Sequence, residues 1–404
     1  MSTSLLYHAF GIRGYCYRRT DYQQGSVIVS IKQPRESLRC PCCRTYDVER
    51  RGQKTREWRT LSIGGRPVYV RMEVPRVHCR ACGITRQVAV PFAEEQRSYT
   101  RAFERHVLEL RQSMTIWDVA QHLGVSWWLV KDIEKRYLGR VFSKPKLKRL
   151  KLIAIDEISI GKGHRYLTIV LDLESGAIVY VGQGKGGDAL KPFWRSLKAS
   201  RACIEAVATD MSPAYIEAVT RNLPDAALVF DRFHLVKLFN EKLSDLRRQL
   251  YREATEGLHK NVLKGTRWLL LKNPEHLDES KNERQRLQEA LDLNKSLATA
   301  YYLKEDLRQV WEQNDWLSAE AFLQDWCDRA WASGIRILHK FANTLAGHRT
   351  GILAWYDYPI STGPLEGTNN KITTLKRQAY GFRDQEYFRL KLFALHKTHY
   401  QLIG

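Results

Sequence analysis

Between Leu152 and about residue 250 the chain alternates short apolar runs with helical stretches, and several of the runs end on an acid. This succession constrains the fold more than any other feature. "LIAIDEISIG" carries a period-2 apolar alternation straight into Asp156 and Glu157. Tyr166 to Asp172 and Ala177 to Gly182 read as two further strands, and "DALKPFWRSLK" as a helix. In "IEAVATDMSPAYIEAVTRNLP" a strand ends at Asp210 and a helix follows; in "AALVFDRFHLVKLFNEKL" a strand ends at Asp231 and runs into another helix. The spacing predicts the order β-β-β-α-β-α-β-α.

That order is the α/β arrangement of a ribonuclease H-like core, in which three antiparallel strands lead into a mixed sheet. The first and fourth strands are then neighbours, so Asp156 and Asp210 lie side by side at one sheet end. Two carboxylates repel unless a divalent cation sits between them. Mg²⁺ (or Mn²⁺) takes few protein oxygens, with water and substrate phosphate completing the shell. Two such ions roughly 3.5–4 Å apart activate the attacking oxygen and stabilise the leaving one at a phosphodiester. A third acid is expected from a later helix, and Glu366 is the best candidate. In "STGPLEGTNNKITTLK" Ser361 or Thr362 caps, Pro364 sits in the first turn, and Leu365, Ile372, Leu375 and Ala379 form the buried stripe. Glu366, with Asn370 one turn on, lies beside that stripe; Lys371, Lys376 and Arg377 are placed for phosphates. A single strand-end Asp is usually a loop cap, so the set of three carries the reading. Glu157 faces the other way by alternation and is structural, and Asp231 ends the fifth strand rather than the fourth.

Lys and Arg number 65 against 44 acids, a formal charge of +21, which favours a polyanionic partner through counterion release. DNA leads over an anionic membrane. No apolar run approaches the roughly 18 residues of a span, and the N-terminus lacks a signal-like apolar region. The expectation is a cytoplasmic, nucleoid-associated protein. Five of the eight cysteines cluster in one region, whereas Cys16, Cys203 and Cys327 are isolated. "CPCC" and "CRAC" give two Cys-x-x-Cys pairs, Cys40/Cys43 and Cys79/Cys82, which suit tetrahedral structural Zn²⁺. Cys42 and His78 are possible substitutes, and a redox pair is the alternative. "SMTIWDVAQHLGVSWWLVKDIEKRYL" has helix-turn-helix grammar. Thr115 caps a first helix with Ile116, Val119, Ala120 and Leu123 inward. Gly124 turns, and Ser126 caps a second helix with Leu129, Val130, Ile133 and Tyr137 inward. Trp127, Lys131, Lys135 and Arg136 then face a groove. The basic linker "SKPKLKRLK" adds Lys146, Lys148 and Arg149.

Taken with "IDEISIGKGHRYLTIVLD", "TDMSPAY", "VFDRFHLVK" and "GPLEGTNNKI…KRQAYGFR", the cysteine pairs make the chain resemble the DDE-type insertion-sequence transposases with an N-terminal zinc ribbon, the ISL-three family. The resemblance covers nearly the whole chain. It implies Asp156, Asp210 and Glu366 as catalytic, Mg-binding triad, with supporting roles for Asp231 and His234. It implies a zinc-ribbon domain over 1–97, a helix-turn-helix domain over 98–142 and a linker over 143–151. The core then spans 152–250 and 346–404, interrupted by an α-helical insertion over 251–345. Trp268, among Lys264, Arg267 and Lys272, stacks on an extruded base or else belongs to a core; Trp311, Trp316, Trp326 and Trp331 look like core residues. The implied function is Mg-dependent DNA cleavage and strand transfer at terminal inverted repeats, by a homodimer or higher assembly on DNA. The rivals are a non-catalytic DNA-binding regulator or domesticated transposase, and a nuclease of the same fold without strand transfer.

Overall fold

The computed structural model describes residues 5–161, 163, 165–254 and 257–396. Its contacts cluster into two units, one up to Ser143 and one from Lys144 to His396.

The first unit opens with α1 (Leu5–Phe10) and a sheet of β1 (Cys16–Gln23), β2 (Ser26–Lys32), β3 (Val48–Ile63), β4 (Arg66–Cys79) and β5 (Thr85–Gln87). The strand order is β1-β2-β4-β3, with β5 also on β4. Val68, Val70, Met72 and Val74 alternate inward along β4 and pack with Trp58, which is 0% exposed. Three helices follow: α2 (Arg101–Leu110), α3 (Ile116–Leu123) and α4 (Trp127–Phe142). Thr115 and Asp118 form a reciprocal capping box on α3, Gly124 ends it at φ 62°, and Ser126 caps α4. These are the expected cap and turn residues of the helix-turn-helix. Arg59 fastens the sheet to the helices. Its buried guanidinium donates to the carbonyls of Thr60, Val68 and Leu123 and stacks near Phe103.

The two cysteine knuckles have the same local geometry. In each, the residue after the second cysteine is left-handed (Arg44 at φ 60°, Gly83 at φ 69°) and its N–H donates to the carbonyl of the first cysteine. Cys40 and Cys82 sulfurs lie 3.6 Å apart, Cys43 and Cys79 sulfurs 3.5 Å, and all four fall within 4.8 Å of one another. Thiolates about 2.3 Å from a tetrahedral Zn²⁺ would be about 3.8 Å apart. The quartet therefore fits structural zinc, with Cys42 exposed and outside it.

The second unit carries a mixed sheet of β6 (Leu152–Gly161), β7 (Arg165–Asp172), β8 (Ile178–Gln183), β9 (Ala206–Thr209) and β10 (Ala227–Phe230), in the order β10-β9-β6-β7-β8. The first three strands are antiparallel, and β6, β9 and β10 run parallel. With α5 (Lys191–Ser200) and α6 (Pro213–Asn222) as crossovers, this is the ribonuclease H-like core expected from the run order. Ile153 and Ile155 pack against α5 and α6 through Phe193, Leu197 and Val219. Ala154 and Ala208, on the opposite face, pack against Leu365, Ile372 and Phe388 of α14 (Gly363–Gln378) and α15 (Gln385–Phe393).

Between β10 and α14 the chain leaves the sheet through α7 (Arg232–Glu253). It builds a helical layer from α8 (Gly257–Gly265), α9 (Glu283–Asp292), α10 (Lys295–Gln309), α11 (Trp316–Ala332), α12 (Arg336–Gly347) and α13 (Arg349–Leu353). No breaker interrupts α7 near residue 250, so core and insertion share one continuous helix. Phe239, Leu243, Trp311, Trp326 and Phe341 centre the insertion's own core. Trp316, expected inside, is instead 37% exposed at the first position of α11. Among the described residues no helix is long and apolar enough to cross a membrane.

The chain returns to the sheet under a tight steric constraint. A Cβ on Gly351 would sit 2.4 Å from the Phe230 ring and 3.1 Å from the Leu228 carbonyl oxygen. Gly351→Ala is expected to destabilise the protein by about 1–3 kcal/mol, read as a lowered denaturant midpoint with zinc content unchanged. Cys79→Ser is expected to lower bound zinc from about one equivalent to near zero, measured by elemental analysis, and to expose Trp58 to fluorescence quenchers.

Candidate functional site

The strand register gathers the acids. Leu152, Ile153 and Ala154 of β6 lie abreast of Ala206, Val207 and Ala208 of β9, and Ala227 to Phe230 of β10 lie abreast of Ala206 to Thr209. Continued at the same step, Asp156, Asp210 and Asp231 come to one level: Asp210 and Asp231 just past the carboxyl ends of β9 and β10, and Asp156 midway along β6, where β6 runs on past β9 and stays paired with β7. Alternation puts Asp156 on the face of Ala154 and Asp210 on the face of Ala208, the side that α14 covers.

Each carboxylate is held differently. Asp156 Oδ1 accepts from the Glu157 N–H at 2.7 Å, and its Oδ2 accepts from Asn369 Nδ2 at 3.0 Å. Asp210 Oδ1 accepts from the Ser212 N–H at 3.0 Å. Asp231 is only 3% exposed and has the most donors. It caps α7 by accepting from the Phe233 N–H at 2.8 Å. It also accepts from both the N–H and the hydroxyl of Thr362, and His234 Nδ1 lies 3.7 Å away. Thr362 is the N-cap position of α14, so Asp231 ties the end of β10 to the start of the helix that bears Glu366.

The electrostatics follow from this crowding. Burial pushes the Asp156 carboxyl above its ordinary range and the Asp210 charge adds to that, while the Glu157 N–H, His234 and Asn369 oppose. Burial would also raise Asp231, but the bonds from His234, Thr362 and Phe233 outweigh it and hold it below the usual range. His234 is raised, first by its bond to Asp231 and then, against burial, by the charges of Asp231, Asp156 and Asp210. One imidazole thus feels all three carboxylates.

Glu366 lies in the first turn of α14 and is exposed. Among the described residues, only the four cysteines gather three or more metal-ligating side chains within 4.8 Å, so the three expected acids are not drawn that close. The residue of α14 that reaches Asp156 is Asn369, whereas Asn370, favoured from the sequence, is exposed. Asn369 follows Leu365 by four positions and precedes Ile372 by three, on the buried stripe itself; that phase was the missed signal. Its Oδ1 is buried without a hydrogen-bond partner. Glu366 precedes Asn369 by three positions and shares its side of the helix.

The expected nucleic-acid contacts divide. On α4, Lys131 lies over both Trp127 and Trp128 at 5.4 Å, and Trp128, not singled out from the sequence, is 70% exposed. Lys135 is half-buried. Arg136 departs from expectation: it turns inward to Glu94 and Glu104 at 3.0 Å each, and to Asp132 at 3.8 Å. It is a clamp within the first unit, because three carboxylates outcompete solvent for it. Lys146, Lys148 and Arg149 are exposed. Trp268 is 65% exposed with the Arg267 guanidinium 4.7 Å from its ring centre. On α14, Lys371 and Arg377 are exposed, Lys376 is half-buried, and Ala379 is exposed rather than part of the stripe.

Comparison with known proteins bears on this arrangement. Residues 36–82 match a model described as zinc-finger of transposase IS204/IS1001/IS1096/IS1165, and residues 88–138 one described as helix-turn-helix domain of transposase family ISL3. Residues 153–392 match the ISL3 DDE model described as transposase. The transposase for insertion sequence element IS1001 of Bordetella parapertussis is 30% identical over 95% of this chain and 96% of its own length. The transposase for insertion sequence element IS1557 of Mycobacterium tuberculosis is 32% identical over 92% of this chain and 88% of its own. A looser likeness, at 10% identity and TM-score 0.43 over 75% of this chain and 93% of the other, is to the Drosophila P element transposase strand transfer complex. The ordered matches to all three modules, and relatives aligned along almost the full length, establish that this chain belongs to the ISL3 family of DDE transposases, DNA-binding polynucleotidyl transferases.

Proposed function

We propose that Asp156, Asp210 and Glu366 are the catalytic acids and that Asn369 completes their setting. The observation that carries this reading is the parallel register of β6 and β9, which brings Asp156 abreast of Asp210 under α14. The donor set supports divalent metal of the magnesium class: two neighbouring carboxylates, one desolvated, and the buried, unpartnered Oδ1 of Asn369 offer oxygen alone. Cations held there would neutralise the facing carboxylates and activate the attacking oxygen. The chain's own residues do the positioning. Asn369 orients Asp156 Oδ2 through its amide N–H. The Asp231–Thr362 bonds fix where α14 begins, and hence the direction from which Glu366 reaches the strand ends. His234 screens the carboxylates from one another and is placed to approach a phosphate oxygen.

The substrate is the end of an insertion sequence, recognised at its terminal inverted repeats and joined to target DNA. Trp127, Trp128, Lys131 and Lys135 engage the groove, and Lys146, Lys148 and Arg149 follow the backbone. Lys371, Lys376 and Arg377 hold phosphates near the acids, and Trp268 stacks on an unpaired base. Two ends must be processed together, so the working form is a dimer or larger assembly on DNA, in the cytoplasm at the nucleoid.

Asp156→Asn and Asp210→Asn are each expected to lower cleavage of an end-bearing duplex by on the order of 10³-fold or more, with binding within a few-fold of wild type. Wild-type cutting by either variant would remove the assignment. Asn369→Ala is expected to lose about 10–100-fold, partly recovered at higher Mg²⁺ or with Mn²⁺, as for a residue that orients a metal ligand. A loss that no metal concentration recovers would instead mark Asn369 as purely a packing residue.

A further inference from the structure

A cavity of about 350 Å³ opens in the first unit, apart from the groove-facing residues of α4. Four guanidinium-bearing side chains line it: Arg13, Arg101, Arg105 and Arg140. Its single acid, Glu104, is already engaged by Arg136 at 3.0 Å. Among the described residues neither Arg13 nor Arg101 pairs with a carboxylate; Arg13 lies over the Tyr7 ring at 4.3 Å, and Arg140 has Glu94 at 3.6 Å. Tyr15, half-buried, and Pro91, exposed, give the same cavity an accessible apolar wall, backed by the buried Phe10, Phe92 and Leu108.

This combination is selective. Arg13 and Arg101 bring to one concavity two charges that no carboxylate answers among the described residues, a cost that an anion relieves. A bare phosphate has no use for an apolar wall, and an apolar ligand has no use for four guanidiniums. The volume lies near the lower end of the range for pockets that enclose a small molecule. A planar apolar body with an attached phosphate meets every wall: the base against Tyr15 and Pro91, and the phosphate in the planar fork of an arginine. We propose that this cavity binds one nucleotide, through its phosphate and its base.

Its place in the fold favours a nucleotide carried by DNA over a free one. Arg140 is on α4, the helix whose amino end carries Trp128. Twelve positions separate the two, about 18 Å along the axis. A strand engaged at the amino end of α4 can reach the cavity along the same helix and leave one unpaired nucleotide in it. The proposal is independent of the catalytic acids.

The test uses the full-length, zinc-loaded protein and a short duplex ending in a single 5′-phosphorylated unpaired thymidylate. The same duplex with a blunt end is the reference, and free thymidine monophosphate is the competitor. The overhang duplex is expected to bind about tenfold more tightly than the blunt one. Ala102→Phe puts a ring into the cavity without altering charge, and is expected to erase that preference while leaving blunt-duplex affinity unchanged. Arg101→Glu is expected to erase it as well. It sits at the first position of α2 after the Thr100 cap, where an acid suits the helix dipole, so folding is retained. Monophosphate that binds wild type but neither variant, with no overhang preference, supports the same pocket with a free nucleotide as its occupant. Overhang preference surviving in both variants overturns the proposal, as does wild type that neither prefers the overhang nor binds the monophosphate.

Discussion

The active-site half of this protein depends on one buried carboxylate. Asp231 ends β10, starts α7 and receives Thr362 at the head of α14, 131 residues later in the chain. Taking a carboxylate out of water costs several kcal/mol, and only a nearly complete set of donors offsets it. Here the donors are two backbone N–H groups and a hydroxyl, with an imidazole 3.7 Å away as ion-pair partner. The chain needs such a fastening because α7 carries it away from the sheet into a separate helical core. Without a fixed point of return, the helix bearing Glu366 and Asn369 would have no defined register over the strand ends. The close approach of Gly351 to Phe230, the residue before Asp231, adds a steric stop at the same place.

The sheet divides its labour by residue parity. On one face, Ile153 and Ile155 meet the aromatic and aliphatic side chains of α5 and α6 in a conventional core. On the other, Ala154 and Ala208 are small, so α14 comes near enough for an asparagine side chain to touch Asp156. The acids stand on the face where β6 and β9 offer these alanines beside them. Placing Asp156 and Asp210 there costs folding energy, since the burial that raises Asp156 is the same desolvation that opposes its charge. The gain is a pair of carboxylates whose separation is set by hydrogen-bonded strands rather than by a loop.

What the sequence makes legible follows from which interactions are local. The succession of strands and helices, the Thr115 and Ser126 caps, the Gly124 turn and the Cys-x-x-Cys pairs all rest on residues a few positions apart, and each appears in the structure as read. Errors arise where a side chain's partner is remote in sequence. Arg136 looks outward on a helical wheel, but Glu94 and Glu104 come from other segments to meet it. Asn369 and Asn370 are adjacent and chemically identical, and only the phase set by Leu365 and Ile372 separates the half-buried one from the exposed one. The sequence offers Ser361 or Thr362 as a cap, yet the Thr362 hydroxyl donates to Asp231 instead of accepting from its own helix. Trp316 follows the spacing of core residues but falls at a helix start, before the helix has turned its apolar side inward.

The insertion shows the same principle in reverse, with exposure rather than burial imposed from afar. The segment from Leu263 to Lys272 has its carbonyls bound by cations from three helices. Arg247 of α7 donates to Leu263 at 2.9 Å, Arg286 of α9 to Gly265 at 3.3 Å, and Lys304 of α10 to Leu270 and Lys272 at 3.1 and 2.9 Å. Lys304 is 1% exposed and its ammonium is depressed by burial, so the fold bears a real desolvation cost to hold these carbonyls. Leu269 and Leu270 are drawn into the core by the same anchoring, and Trp268 is left outside beside Arg267. An indole of this size buries readily when its backbone is free to move. That Trp268 stays in water, on a backbone pinned by a buried lysine, argues that its outward position is specified by the fold and is not a failure of packing.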